Sequence, residues 1–223
     1  MTTTTSNPQT GTEQPFDPSP PPSSGGREET EKRAETEPCP FCTIALAYAP
    51  YPPAAPPAAS SPSLAPTRPA PAPAAFVVLS TPALVAFLVI MPLSAGHLLL
   101  CPRAHRARLT DVTAAEAADL GVHLRLLSRA LVRATGVPDW NVVQNNGAAA
   151  AQVVGHVHYH LIPRPELRGG GGGANGGPFR QSFTMFGRGV REELDDDEGA
   201  RLAARLRECL AEVLEEEAGR GRL

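Results

Sequence analysis

The sequence has no apolar run long enough to cross a bilayer and no excess of basic charge. Its longest apolar stretch, from Ala83 to Met91, is stopped by Pro92, well short of the roughly 18 to 20 residues that a membrane helix needs. The 20 basic and 23 acidic residues give a net charge of −3, which argues against nucleic-acid binding by simple electrostatics. The first residues, Met1 to Ser6, lack the charged and apolar regions of a secretory signal. We therefore expect a soluble cytoplasmic protein, with the nucleus as a second location, and neither nucleic acid nor membrane as a partner.

Cysteine is scarce and unevenly spaced. Of the four cysteines, two form the motif Cys39-Pro-Phe-Cys42 and two are isolated, Cys101 and Cys209. This arrangement does not predict a disulfide framework. A Cys-x-x-Cys pair in a reducing compartment predicts a metal site or a redox pair, and the isolated cysteines lie in apolar patterns typical of buried free thiols.

Only part of the chain has the composition of a folded domain. Residues 1–37 are mostly Thr, Ser, Pro, Glu and Gly, which predicts a disordered tail. We assign residues 38–166 to one domain, interrupted at 48–75 by a Pro/Ala-rich insertion without a turn or strand pattern of its own. Residues 167–178 are rich in glycine and predict a flexible linker, and residues 179–223 form a C-terminal extension.

The ordered part predicts an α+β fold. Five segments rich in β-branched or apolar residues, bounded by proline and glycine, predict strands. The predicted strands are Phe76–Ser80, Val85–Ile90, His97–Cys101, Trp140–Gln144 and His156–Ile162. Trp140 is expected in the core or at a dimer contact. Sequential strands around one long helix favour a layered sheet with a helix packed on it.

Three helices are predicted around these strands. A short turn or helix follows Cys39, and the capping box of Thr113 and Glu116 begins a long amphipathic helix that ends at Gly136. A C-terminal amphipathic helix begins at the acidic run Asp195–Asp197. We interpret that run as a helix start, where negative charge is favourable, rather than as a metal site.

The segment from His156 to Ile162 carries the main chemical signal. Side chains alternate faces along a strand, so His156, His158 and His160 share one face. Each imidazole can act as a base, a nucleophile or a metal ligand, which predicts a metal site or a covalent site. Upstream, Asn145 and Gln152 flank small residues. Amide donors beside imidazoles suit an oxyanion or a phosphate group.

The run from His156 to Arg164 resembles the signature of the histidine triad family. Three further segments agree in order and type, namely Cys39–Cys42, Pro92–His105 and Asn145–Gln152. The resemblance implies a five-stranded antiparallel sheet with a packed long helix. It also implies a homodimer that acts on small-molecule nucleotides as a hydrolase or transferase, attacking an α-phosphate.

The resemblance also implies roles for individual residues. His158 matches the family's nucleophile, which forms a nucleotidyl-histidine intermediate, and His160 matches a partner of the phosphate oxygens. Asn145 and Gln152 match substrate-binding amides of the neighbouring loop. His97 matches a histidine beside the site, where it contacts the substrate or only packs.

A second set of residues implies a structural zinc ion. Zinc-containing relatives, among them the hexose-phosphate uridylyltransferases, are similar in using a Cys-x-x-Cys pair and two histidines. The matching positions here are Cys39, Cys42, His105 and His156. Thiolates and imidazoles are the ligands of closed tetrahedral zinc sites.

Two positions depart from the family pattern. Val89 stands where relatives hold the ribose hydroxyls, and Val153 stands where they carry a hydroxyl that can protonate the leaving group. The ending Leu-Ile-Pro-Arg164 resembles the hydrolase branches, so dinucleoside polyphosphates are the favoured substrates. The alternatives are a nucleoside phosphoramidase, which Val153 argues against, and a non-catalytic nucleotide-binding or adaptor protein.

Overall fold

The central element is a five-stranded antiparallel sheet in the order β1-β2-β3-β5-β4. The computed structural model describes residues 38–58, 60–64, 75–165, 183–184, 187–188 and 193–220. The strands are β1 Val77–Ser80, β2 Leu84–Leu88, β3 Leu98–Pro102, β4 Trp140–Gln144 and β5 Tyr159–Pro163. The predicted α+β class is confirmed, and the predicted N-terminal tail and glycine-rich linker lie outside the described residues.

Helices α1 Pro40–Ala47, α2 Ala114–Thr135 and α3 Asp196–Arg220 complete the fold, with a hairpin of β6 Phe183–Thr184 and β7 Gly187–Arg188. The capping box is confirmed, because Thr113 N donates to Glu116 Oε2 at 2.8 Å and Thr113 Oγ1 accepts from Glu116 N at 3.2 Å. Gly136 ends α2 with a φ of +68°, a conformation that costs glycine little. Asp195 caps α3, since its Oδ1 accepts from Glu198 N at 3.0 Å.

Both faces of the sheet are covered. Leu84, Leu100 and Leu161 pack with residues of α2 and α3 on one face, whereas Val85 and Leu99 pack with residues of α1 on the other. This double burial explains why β2 and β3 are apolar throughout. Each fully buried Leu or Val contributes roughly 1.5 to 3 kcal/mol of apolar transfer free energy.

Ion pairs join α2 to α3 along their outer surface. Arginines 125, 129 and 133 of α2 face glutamates 212, 216 and 217 of α3, with distances of 2.6 Å for Arg125–Glu217 and for Arg133–Glu216. The side chains of these pairs are partly to largely exposed, and such pairs are individually weak. None of the described helices has the length and apolar character that crossing a membrane requires.

The first part of the Pro/Ala-rich insertion lies along β1. Tyr51 N donates to Ser80 O at 2.8 Å, and Tyr51 Oη donates to Val78 O at 2.9 Å. Ala75 N donates to the hydroxyl of Tyr48 at 2.9 Å. A short 3₁₀ turn also forms in this segment. The sequence predicts a loop or an extended linker for the insertion, and its described part is a loop with short turns that two tyrosines fix to the edge of the sheet.

Candidate functional site

The three alternating histidines lie on the sheet face that α1 covers. Only His160 lies within β5, where it pairs with Leu99 and Val143, so the predicted strand starts too early. Ahead of β5, Val157 N donates to Arg106 O at 2.7 Å, and this bond to the loop after β3 replaces strand pairing. The shared face is preserved, since the rings of His158 and His160 have centroids 5.0 Å apart.

The ring of His158 has a defined tautomer and a lowered pKa. Its Nδ1 lies 2.6 Å from the carbonyl oxygen of His156. Because a carbonyl only accepts, Nδ1 carries the hydrogen and Nε2 keeps its lone pair in the neutral ring. Burial of the ring lowers the pKa of His158, and the bond to His156 O opposes this effect. A neutral imidazole with an available Nε2 can act as a nucleophile or as a base near pH 7.

His160 is oriented by His97, which lies behind it and is 1% exposed. Leu93 N donates to His97 Nδ1 at 3.2 Å, so the neutral His97 ring carries its hydrogen on Nε2. This Nε2 lies 2.9 Å from His160 Nδ1, which must then accept. The hydrogen of neutral His160 is consequently on Nε2, where it can donate to an oxyanion. A backbone amide thus sets the tautomers of both rings.

Cys39, Cys42, His105 and His156 form the second cluster predicted from the sequence. Their ligand atoms all lie within 4.8 Å of one another. Cys42 Sγ lies 3.3 Å from His105 Nδ1, and Cys39 Sγ lies 3.4 Å from His156 Nδ1. His156 Nε2 donates to Pro102 O at 2.8 Å, which directs Nδ1 to the thiols.

The chemistry of this cluster fits a divalent cation. Burial raises the pKa of Cys42 to about 11, with further contributions from the hydrogen bond and the charge of Cys39. Burial also lowers the pKa of His156. Without a cation, these surroundings favour the neutral thiol of Cys42 and the neutral imidazole of His156. A bound cation would stabilise the thiolate forms of the two cysteines and accept the lone pairs of the neutral imidazoles. Two sulfur and two nitrogen donors match the tetrahedral preference of zinc.

Phe41 connects the two clusters, and the sequence analysis missed it. Its ring centroid lies 5.1 Å from that of His158 and 5.9 Å from that of His156, in edge-on arrangements. It also packs edge-on against Phe87 at 5.5 Å. The available signal was its position between the two cysteines, which fixes it to the same helical turn.

The predicted substrate amides lie in the loop between β4 and β5. The side chain of Gln152 binds main-chain atoms at both ends, since Oε1 accepts from Gly147 N at 2.6 Å and Nε2 donates to Ala107 O at 2.8 Å. Asn145 Nδ2 lies 3.5 Å from Ala151 O. In the described structure, these contacts fix the shape of the loop. Substrate contacts by Asn145 and Gln152 stay predictions.

The two departures from the family pattern occupy different environments. Val89 is half-buried, packs against the apolar cluster under α1, and donates its backbone N–H to His97 O at 2.9 Å. Val153 is 89% exposed. Neither side chain can form the hydrogen bond that the family pattern implies at its position.

Comparison with known proteins identifies the family. The HIT domain model matches residues 72–167. The adenosine 5′-monophosphoramidase HNT1 of Candida albicans is 32% identical over 143 residues, which cover 62% of this chain and 84% of that protein. The adenylylsulfatase HINT3 of Arabidopsis thaliana is 44% identical over 75 residues, which cover 34% of this chain and only 38% of that protein.

A solved structure supports the fold. A zinc-bound histidine triad family protein from Mycobacterium smegmatis matches with a TM-score of 0.53 at 24% identity, covering 82% of this chain and 99% of that chain. At this identity the likeness concerns the fold alone. The sequence matches, the sheet order and the histidine-bearing strand agree, and the chain belongs to the histidine triad family.

Proposed function

We propose that this protein is a nucleotide hydrolase or nucleotidyl transferase that attacks an α-phosphate with His158. The observation that carries the proposal is the 2.6 Å bond from His158 Nδ1 to His156 O, which leaves Nε2 as the reactive nitrogen. In the first step, Nε2 forms a bond to phosphorus while the bond to the leaving group breaks. In the second step, water or another acceptor attacks phosphorus, the N–P bond breaks, and the nucleotide is released.

His160 and its neighbours stabilise the developing charge. The hydrogen on His160 Nε2 follows from the bond of Nδ1 to His97 Nε2 at 2.9 Å. A donor aimed at the phosphate oxygens from a partly buried ring stabilises a phosphoryl transition state. We propose Asn145 and Gln152, in the loop beside the histidines, as additional substrate-binding residues. His97 supports this arrangement from behind His160.

The favoured substrates are dinucleoside polyphosphates. Val153 is 89% exposed and has no hydroxyl, so it cannot protonate a leaving group. A polyphosphate leaves as a stable anion and needs little protonation, whereas an amine needs a proton donor. A nucleoside phosphoramidase is the second candidate, and the name of the relative from Candida albicans supports it. A nucleotide-binding adaptor without turnover is the third.

A single-turnover experiment separates these candidates. Purified protein is incubated with a labelled diadenosine polyphosphate or an adenosine phosphoramidate, and the parent is compared with His158→Ala. We expect rates on the order of 10⁶-fold lower in the variant, because the nucleophile is lost. His123→Ala is the matched control, since His123 lies on α2 and binds the carbonyl oxygen of Asp119 at 2.9 Å.

Three outcomes are informative. Equal rates for the parent and His158→Ala would refute the assignment of the nucleophile. Faster turnover of the phosphoramidate than of the polyphosphate would favour the second candidate. Nucleotide binding without turnover and without labelled histidine would favour the adaptor.

We also propose that Cys39, Cys42, His105 and His156 hold a structural zinc ion. Support comes from four ligand atoms within 4.8 Å of one another and from the bond of His156 Nε2 to Pro102 O. When bound, the ion would cross-link α1 to the histidine segment. Metal analysis of purified protein should give about one equivalent, reduced in Cys39→Ser but not in the buried control Cys101→Ser. Less than half an equivalent in the parent would contradict the site.

We propose that the protein forms a homodimer through the edge strand β4. Trp140 and Val142 of this strand are 39% and 45% exposed, and they line an open groove of about 820 Å³ against α2. An exposed edge with apolar side chains favours pairing with the same edge of a second copy across a two-fold axis. Sedimentation should give a dimer for the parent and a monomer for Val142→Glu. A monomeric parent would contradict the proposal.

A further inference from the structure

Arg103 directly follows β3, and its guanidinium binds two other parts of the chain. At the end of α1, it donates to Ala45 O and, at 2.7 Å, to Tyr48 O. Between β1 and β2, its Nε donates to Thr81 O at 2.6 Å, and a terminal nitrogen donates to Ser80 Oγ. One side chain therefore links β3, the C-terminal end of α1 and the β1–β2 turn.

Helix α1 packs on the sheet through buried apolar side chains such as Ile44, and Arg103 adds directional polar contacts to this packing. The helix has eight residues, fewer than the roughly 12 to 15 that an isolated helix needs for marginal stability. Within the described residues, no side chain caps its N-terminus at Cys39. The last carbonyl groups of a helix lack intrahelical partners, and a cation placed there is favourable. Arg103 supplies that cation together with a planar fork of donors.

The position of α1 determines the position of three functional side chains. The helix carries Phe41 and Cys42, and Cys39 is the residue directly before it. The cysteines contribute the sulfur atoms of the metal-ligand cluster, and the ring of Phe41 packs on His158 at 5.1 Å. A displacement of α1 would therefore alter both the metal site and the packing of Phe41 against His158.

The residues beside Arg103 fix the nitrogen ligands of the same cluster. The carbonyl oxygen of Pro102, the preceding residue, accepts from His156 Nε2 at 2.8 Å. His105, two residues further on, contributes its own Nδ1, 3.3 Å from Cys42 Sγ. Residues 102–105 thus contact or supply every part of the cluster: Pro102 binds His156, Arg103 binds α1, and His105 is itself a ligand. They bring together Cys39 and His156, which are 117 residues apart in sequence.

We propose that Arg103 is a positioning residue of the metal centre, which holds α1 where its two sulfur atoms meet the two imidazoles. Metal–ligand distances must be met to about 0.2 Å, so a small shift of α1 lowers the affinity for the ion. The inference rests on the proposed zinc site, but the anchoring of α1 by Arg103 can be tested without the ion.

The test compares four full-length proteins, namely the parent, Arg103→Met, Arg103→Lys and Arg106→Met. Arg106 is the matched control because its guanidinium binds Glu116 at 3.0 Å, on α2 rather than α1. Zinc affinity is measured by competition with a chromogenic chelator. Removing a partner that orients a ligand typically weakens metal binding by about 10- to 100-fold, and we expect this loss in Arg103→Met. Arg103→Lys should recover part of it, because an ammonium group retains the charge but not the planar fork.

Amide hydrogen exchange of the metal-free proteins provides the second measurement. Exchange within α1 should be faster in Arg103→Met than in the parent, and unchanged in Arg106→Met. Zinc affinity in Arg103→Met within two-fold of the parent would overturn the proposal, as would an equal loss in Arg106→Met. If the parent binds no zinc, the zinc proposal fails by itself, and unchanged exchange within α1 would then overturn the role of Arg103. If Arg103→Met does not fold, the same comparisons are made with Arg103→Lys.

Discussion

The contact between His97 and His160 predicts different behaviour for two substitutions of His97. An asparagine approximates the position of Nδ1 and can still accept from Leu93 N, which lies 3.2 Å away in the parent. A glutamine approximates the position of Nε2 and can still donate to His160 Nδ1, 2.9 Å away in the parent. Each substitution therefore retains one of the two hydrogen bonds of the buried ring.

The expected magnitudes follow from which bond is lost. His97 is 1% exposed, so a donor or acceptor left without a partner costs about 1 to 3 kcal/mol. Both variants should therefore lose stability by a similar amount. Activity should separate them, since only His97→Asn removes the group that orients His160. Misplacing a group at the reacting centre by about 1 Å can cost about 100-fold in rate, so we expect a 10- to 100-fold loss for His97→Asn and less than five-fold for His97→Gln.

Steady-state kinetics on a diadenosine polyphosphate, with urea unfolding in parallel, tests this prediction. Loss of kcat with unchanged KM in His97→Asn would support positioning of His160. An increase of KM in both variants would instead indicate that His97 contacts the substrate, which the sequence left open. Equal kcat values in the two variants would refute the reasoning about tautomers.

Further predictions concern pH, helix packing and surface charge. Burial lowers the pKa of His158 below its usual 6.5, and the attack needs the neutral ring. In a rate–pH profile, activity should therefore be constant above pH 6.5 and should fall only as the pH drops through the lowered pKa. Gly199→Ala should lower the free energy of unfolding, measured in urea, by about 1 to 3 kcal/mol, because the Cβ of the alanine would lie 2.5 Å from a ring carbon of Phe76. Gly121→Ala should stabilise by about 0.5 to 1 kcal/mol, because alanine loses less backbone entropy than glycine in a helix and the added Cβ would have no atom of another part of the protein within 4 Å. Glu217→Gln should lower the Tm, and the difference from the parent should shrink at high salt, since its partners are the exposed Arg125 and the partly exposed Arg129.

The parts of the fold that depend on local signals could be predicted from the sequence. The capping box and Gly136 are signals in the local sequence, and they define the two ends of α2. Strand β4 has the predicted bounds Trp140–Gln144. The start of β5 could not be predicted in this way. The alternation of His156 and His158 is that of a strand, but a bond from Val157 N to Arg106 O replaces the neighbouring strand. Alternation reports which face a side chain is on and carries no information about the hydrogen-bond partner of the backbone.

The same limit applies to contacts between distant segments. Two cysteines and two histidines, at the positions that match the family's zinc ligands, predicted the metal cluster. The structure brings their ligand atoms within 4.8 Å of one another. Arg103 and Phe41 belong to the same region. Phe41 was marked only by its position between the two cysteines, and no local pattern distinguishes Arg103 from other arginines. Their roles depend on the carbonyl groups and rings that tertiary packing brings to them.

The different roles proposed for the three histidines have one physical cause, which is the partner of a single ring nitrogen in each. His156 gives Nε2 to Pro102 O and turns Nδ1 to the thiols. His158 gives Nδ1 to His156 O and keeps Nε2 for chemistry. His160 accepts at Nδ1 from His97 and keeps a hydrogen on Nε2. Because these partners are main-chain carbonyls or a buried ring, the tautomers are set before any substrate binds, and donors fixed in this way need little reorganisation during the reaction. The three imidazoles are chemically identical, so the roles proposed for them follow from their positions in the backbone and from the partners found there.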